Sequence, residues 1–261
     1  MLAPAGHATV TAFLRTTGGE RIAYRRHRAG GDGSVMFLPG FHSDMTGDKA
    51  VAIEHWAQRR GCDCVRFDYR GHGESPGQAE DYVLSDWLAD ACLVVETLVE
   101  GRCTLVGSSM GAWLALHLAE RYPAKICGLI TVAAATDFTA AFVNGAASPE
   151  QLRALAEHGS CQVENRYGEE PYVITERMLE DAGSLLMLDR KIDVRCPVYL
   201  NHGTADTDVP WQVSERTMAA LRSGQAELTL VRNGDHRLSS PVDLQRLWVQ
   251  LDRLGEPGDR R

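Results

Sequence analysis

The stretch Thr104-Leu105-Val106-Gly107-Ser108-Ser109-Met110-Gly111-Ala112-Trp113 constrains this chain more than any other. It reads as a buried strand, a sharp turn and a helix start in immediate succession. Gly107 and Gly111 bracket Ser109 in a G-x-S-x-G pattern. Without side chains they let neighbouring backbone pack closely around a serine held in an unfavourable conformation. Such a turn lifts the Ser109 hydroxyl above a sheet. It also aims the unpaired N–H groups of the next helix at any negative charge that develops there.

The rest of the chain supplies a sheet for that turn to sit on. Strands are expected over 10–15 and 21–26, joined by a hairpin turn at Thr16-Thr17-Gly18-Gly19-Glu20. Strand and helix then alternate: strand 34–38, helix 49–60, strand 64–67, helix 85–99, strand 103–106, helix 110–121 and strand 126–132. After an interruption come strand 198–201, helix 211–221, strand 227–231 and a helix from Pro241 to about 254. Ser240, Pro241 and Asp243 mark the last start with a cap, a proline at the first helical position and an acid in the first turn. This alternation predicts an α/β fold with a mainly parallel sheet flanked by helices. Residues 254–261 read as a frayed tail.

The interruption, 134–195, is too long for a simple loop and carries structure of its own. Ser148-Pro149-Glu150-Gln151 opens a capped helix, 175–188 reads as a second helix, and 161–166 with 171–174 as a small hairpin around Gly168. We expect a core domain over 1–133 and 196–261, with 134–195 as an inserted lid.

With 261 residues, 44% hydrophobic and 24% charged, one large soluble domain accounts for the chain. A formal net charge of −8 gives no basic footprint, so no nucleic-acid partner is expected. No apolar run is long enough for a membrane span, and Met1 to His7 lack the features of a signal peptide. Cytoplasmic location is the expectation. The cysteines at 62, 64, 92, 103, 127, 161 and 196 are odd in number and scattered through elements, which fits reduced structural thiols. Cys62-x-Cys64 lacks the spacing of common zinc or redox pairs, and no metal or other cofactor is expected.

A serine hydroxyl needs a positioned base, normally an imidazole, which in turn needs a carboxylate to fix its tautomer. His202-Gly203-Thr204-Ala205-Asp206-Thr207-Asp208 follows one predicted strand, and Arg232-Asn233-Gly234-Asp235-His236 follows the next. Both stretches fall at the carboxyl edge of the sheet, beside Ser109. Ser109 as nucleophile, His236 as base and Asp206 as acid form the favoured set. Asp208 and Asp137 are rival acids, and Asp235 sits too close in sequence to His236 to orient it easily. Acyl transfer also needs oxyanion donors. The backbone N–H groups of Met110, which follows the nucleophile, and of Phe41, in Leu38-Pro39-Gly40-Phe41-His42, are the natural pair.

Several segments carry a wider likeness: Phe37-Leu38-Pro39-Gly40-Phe41, Lys49-Ala50-Val51-Ala52-Ile53-Glu54, Arg66-Phe67-Asp68-Tyr69, Val106 to Gly111 with Trp113-Leu114, Val209-Pro210-Trp211 and Asp235-His236-Arg237. On these the body from about 20 to 254 resembles the α/β-hydrolase superfamily. It more closely resembles the branch of the mitochondrial palmitoyl-protein thioesterase that is also a mycophenolic acid acyl-glucuronide esterase. The resemblance implies an α/β-hydrolase fold, a triad at Ser109, Asp206 and His236, and cleavage of carboxylic esters or thioesters. His42, beside the oxyanion loop, departs from the pattern.

The expected partner is therefore a small-molecule or acylated substrate. His42 is read as a rim residue. Phe138, Phe142 and Leu186 are expected to line an apolar acyl pocket, with Met178, Leu185 and Met187 as further candidates. A lactonase or carbon–carbon bond hydrolase on the same triad is the alternative enzyme, and a non-catalytic binding protein of the same fold the alternative outside enzymes.

Overall fold

The structure is a computed structural model that describes residues 10–31, 33–166, 168 and 170–255. Of the tail expected over 254–261, residues 254 and 255 belong to the last helix, and 256–261, like the leading residues Met1 to His7, lie outside the described residues. In chain order the elements are β1 (Ala12–Arg15), β2 (Arg21–His27), β3 (Gly33–Leu38), α1 (Asp48–Arg60), β4 (Asp63–Phe67), α2 (Leu84–Leu98), β5 (Arg102–Ser108), α3 (Met110–Arg121) and β6 (Ile126–Val132). They continue with α4 (Phe138–Ala141), α5 (Pro149–His158), β7 (Ser160–Val163), β8 (Tyr172–Thr175), α6 (Glu176–Ala182), β9 (Val198–Gly203), α7 (Gln212–Ala220), β10 (Ala226–Val231) and α8 (Pro241–Gly255).

An eight-stranded sheet runs in the order β1-β2-β4-β3-β5-β6-β9-β10. The β1–β2 hairpin is antiparallel and joins β4 antiparallel; from β4 onward every pairing is parallel. Alternate side chains of the central strands therefore enter two cores. On one face Met36, Leu38 and Leu105 meet Trp87 of α2 and Trp113 of α3. On the other Val35, Phe37 and Val106 meet Ile53 and Trp56 of α1 and Leu247 and Leu251 of α8. A period of two in the strands, set against one buried stripe per helix, gives this layering directly. Among the described residues no helix is long and apolar enough to cross a membrane.

Parallel pairing also brings the working loops to one edge. Leu38 pairs with Gly107, Ser108 with Val132, Val132 with Asn201, and Gly203 with Val231. The loops after β3, β5, β9 and β10 thus leave the sheet side by side, where ligands of open α/β sheets are expected.

Between β6 and β9 lie α4, a π-helical turn over Phe142–Ala146, α5, the antiparallel β7–β8 hairpin and α6. Ser148 caps α5 as expected, accepting from Gln151 N at 3.2 Å while Gln151 Oε1 accepts from Ser148 N at 2.8 Å. The helix expected over 175–188 stops at Ala182. A 3-10 turn over Gly183–Leu185 follows, and the Asp137 carboxylate then accepts from Met187 N at 3.0 Å and Leu188 N at 2.8 Å. Those N–H groups go to a distant side chain, so the chain cannot continue as a helix there. Asp181 fixes α6 to α2, accepting from Ser85 Oγ at 2.6 Å and Ser85 N at 2.8 Å.

All seven cysteines are free thiols, buried or half-buried. Burial pushes the Cys62 thiol up to about 11 and those of Cys103 and Cys196 to about 12. Cys64, Cys92 and Cys161 are raised for the same reason.

Candidate active site

Ser109 stands between β5 and α3 at φ 54° and ψ −120°, a backbone conformation that L residues rarely adopt. Three backbone hydrogen bonds hold it there. Its N–H donates to Val132 O at 2.9 Å, and its carbonyl accepts from Ala112 N at 3.0 Å and Ala135 N at 3.2 Å. The flanking glycines are required by contact. A β-carbon at Gly107 would lie 2.5 Å from Gly111 O, and one at Gly111 only 2.2 Å from Leu38 O. Strand β3, strand β5 and the start of α3 thus approach as bare backbone. Ser109 is half-buried at the surface of that junction.

The loop after β3 closes over the serine. A β-carbon at Gly40 would meet Ser109 Cβ at 3.2 Å and Ser109 Oγ at 3.8 Å, so Gly40 lies directly against the Ser109 side chain. Phe41 follows in that loop, and Met110 begins α3 with its side chain buried. His42 adopts φ 52° and is exposed. Its ring packs on Phe41 at 4.4 Å and on Tyr172 of the β7–β8 hairpin at 5.0 Å. Phe41 in turn touches Trp87 at 5.5 Å and His72 at 5.9 Å. His72 is buried, and that burial pushes its imidazole down to about 4, so it is neutral at ordinary pH.

Asp206 and His236 come together across the loops after β9 and β10. His236 Nδ1 lies 2.7 Å from Asp206 Oδ2, and the Asp206 side chain is fully buried. The same oxygen is 3.0 Å from His202 Nε2, while Asp206 Oδ1 accepts from Asp208 N and Val209 N, both at 2.9 Å. Four donors fill the four lone-pair directions of a carboxylate. Burial works to raise its pKa, but the hydrogen bonds from His202 and His236 more than reverse this and hold the carboxyl well below its ordinary range. His236 Nδ1 faces an acceptor and so carries a proton. In the neutral ring Nε2 is then the basic nitrogen.

The two loops are laced together by backbone. Ala205 N donates to Gly234 O at 2.9 Å, and Thr204 N to Val231 O at 2.9 Å. Contact is close enough that a β-carbon at Gly203 would lie 2.2 Å from Gly234 O. Gly203→Ala should therefore part the acid loop from the histidine loop. We expect a loss of about 1–3 kcal/mol in stability by chemical denaturation, from overpacking, together with a fall in kcat. An alanine variant with unchanged melting and turnover would mean the loops tolerate separation.

The rival acids are occupied elsewhere. Asp137, at φ 57°, gives its carboxylate to Met187 N and Leu188 N. Asp235 Oδ1 accepts from Leu238 N at 2.9 Å, closing its own turn. Asp208 Oδ1 lies 3.7 Å from Arg166 Nη1. Asp137→Ala should cost about 1–3 kcal/mol of stability by leaving buried N–H groups unpaired, with kcat per folded molecule little changed. A collapse of kcat in folded protein would restore Asp137 as a candidate acid.

Of the expected pocket residues, Phe138, Phe142, Leu185 and Leu186 are partly buried against the main core, and Phe138 meets Trp113 at 5.8 Å. Met178 and Met187 are instead fully enclosed core side chains. Sequence reasoning missed His202, Ser214 and Tyr172. The only early signal for His202 was its position at the end of a strand four residues before Asp206. Among the described residues, the group whose potential metal-ligating atoms lie within 4.8 Å is Asp206, Asp208 and His236. Asp206 has no acceptor capacity left for an ion, so the geometry is that of an acid–base pair.

With this geometry in view, residues 31–241 match the family model Hydrolase_4, described as serine aminopeptidase, S33. The chain belongs to this α/β-hydrolase family. It is similar to the human mitochondrial palmitoyl-protein thioesterase ABHD10, 34% identical over 248 residues that cover 94% of this chain and 80% of the relative. A crystal structure from Agrobacterium vitis S4, named a "putative hydrolase", superposes on this α/β-hydrolase with a TM-score of 0.91 at 33% identity, covering 96% of this chain and all of that one (100%). The mouse α/β-hydrolase domain-containing protein 10 gives 0.86 at 32% identity, covering 94% and 98%.

Proposed function

We propose that this α/β-hydrolase cleaves carboxylic esters or thioesters of long acyl groups through Ser109, His236 and Asp206. The observation that carries this reading is the 2.7 Å hydrogen bond from His236 Nδ1 to buried Asp206, on the sheet edge that also bears Ser109 in its strained turn. His236 Nε2 takes the Ser109 proton as Oγ attacks the acyl carbon. The N–H groups of Phe41 and Met110 receive the oxyanion. His236 returns the proton to the departing alcohol or thiol. Water, activated by the same imidazole, then releases the acid and restores Ser109.

Long acyl groups are favoured because ABHD10 is named a palmitoyl-protein thioesterase and because the insertion carries apolar side chains, Phe138, Phe142 and Leu186, that are only partly buried against the main core. In this reading 134–195 is the lid, Phe138, Phe142 and Leu186 contact the acyl chain, and His42 with Tyr172 forms the rim where the leaving group departs. Each methylene buried there contributes about 0.8 kcal/mol. Phe142→Asp or Leu186→Asp should therefore lower kcat/KM far more for palmitoyl than for acetyl substrates. Equal losses would remove these residues from the acyl pocket.

The function is tested with a fluorophosphonate probe and matched series of p-nitrophenyl esters and acyl thioesters, from acetyl to palmitoyl. We expect labelling of wild type, none of Ser109→Ala, and kcat/KM rising with chain length. Ligand binding without labelling or turnover would instead identify a non-catalytic protein of this fold.

A further inference from the structure

We propose that His202 is a positioning residue that clamps the Asp206 carboxylate at the oxygen it shares with His236 and tempers the basicity of the catalytic imidazole. The inference rests on the triad reading and goes beyond it.

His202 sits at the end of β9 with its side chain fully enclosed. Its Nε2 faces two acceptors, Asp206 Oδ2 at 3.0 Å and Val209 O at 2.9 Å. A carbonyl and an ionised carboxylate have no proton to give, so Nε2 must carry one. Its other nitrogen, Nδ1, lies 2.7 Å from Ser214 Oγ of α7, itself fully buried. In the neutral ring Ser214 therefore donates to Nδ1. This fixes the tautomer from behind, as outer partners do for metal-bound histidines.

Two imidazole N–H groups thus share one carboxylate oxygen. A donor from His202 disperses charge that would otherwise be concentrated toward His236, and it holds the carboxylate plane where Nδ1 of His236 can reach it. Weaker charge on the acid means weaker stabilisation of the imidazolium that would form at His236. Other charged groups stand nearby. Asp208 belongs to the cluster but turns toward Arg166, Asp235 closes onto Leu238 N, and Lys49 Nζ lies 2.6 Å from Arg237 O beyond the histidine. Among the described residues His202 and His236 are the side chains hydrogen-bonded to Asp206.

The test compares His202→Leu, which removes the donor, with His202→Gln, whose amide nitrogen can occupy the Nε2 position. In His202→Leu the acid limb of the kcat/KM–pH profile should move upward by roughly half a unit or more, and the His236 ring followed by NMR should move with it. His202→Gln should stay near wild type. A folded His202→Leu protein with an unmoved profile overturns the proposal. Wild-type protein gives a second check that no folding defect can obscure. Its 15N shifts must place the His202 proton on Nε2 throughout the active pH range, and a proton on Nδ1 alone overturns the proposal. Because the His202 and His236 resonances are read without turnover, a failed triad would show separately, as Ser109→Ala retaining hydrolysis.

Discussion

Ser109→Ala is expected to lower kcat for ester hydrolysis by on the order of 10⁶, as removal of the nucleophile does where serine, histidine and acid act as one unit. Alanine keeps the Cβ and the three backbone hydrogen bonds at this position, so the strained turn at φ 54° should survive. Thermal melting should then differ little from wild type while fluorophosphonate labelling disappears. Persistent turnover in folded Ser109→Ala protein would place the nucleophile elsewhere and end the triad reading. His236→Ala should be nearly as damaging, and the double variant no worse than the worse single, because each needs the other to act.

Asp206→Asn should lower kcat by on the order of 10⁴, the effect of the same change in serine proteases. An asparagine can present its N–H₂ to His236 Nδ1 and so favour the tautomer with the proton on Nε2, which cannot accept from serine. The comparison that decides the acid is Asp208→Asn, expected to be mild because the Asp208 carboxylate faces Arg166. The pH dependence follows from the depressed Asp206 carboxyl. Its ionised form is favoured by folding. That stability is fully present above the unfolded carboxylate pKa of about 4 and is lost as pH falls through the lower folded value. A fall in activity between about pH 7 and 5 therefore belongs to an imidazole, and no titration of Asp206 should be visible there.

The sheet was legible because its signals are local. Short apolar runs with Gly or Pro at their ends mark β3, β5 and β9, and each extends to the edge where its loop begins. Gly107 and Gly111 announced a turn in which backbone must touch backbone, and the contacts at 2.5 and 2.2 Å are the reason. Less could be read in the insertion, where tertiary contacts override propensity. Residues 183–188 look helical by composition, but Asp137 takes the N–H groups of Met187 and Leu188 from fifty positions away. His202 was illegible for a related reason. A histidine at the end of a strand says nothing by itself, and its partners arrive from Asp206 and from Ser214 on the next helix. The choice among acids also needed three dimensions, since Asp137, Asp208 and Asp235 differ from Asp206 chiefly in what else their oxygens already hold.

The buried cysteines bear on how cleanly such a chain can handle activated acyl groups. A thioester or active ester is attacked by thiolate, not by thiol, so a protein rich in sulfur near acyl donors risks becoming their acceptor. Here Cys62, Cys64, Cys92, Cys103, Cys161 and Cys196 are all pushed toward the protonated form by burial. At neutral pH these thiols are poor competitors for an acyl group under the proposed reaction at Ser109. The fold keeps most of its sulfur chemically silent without a single disulfide among the described residues.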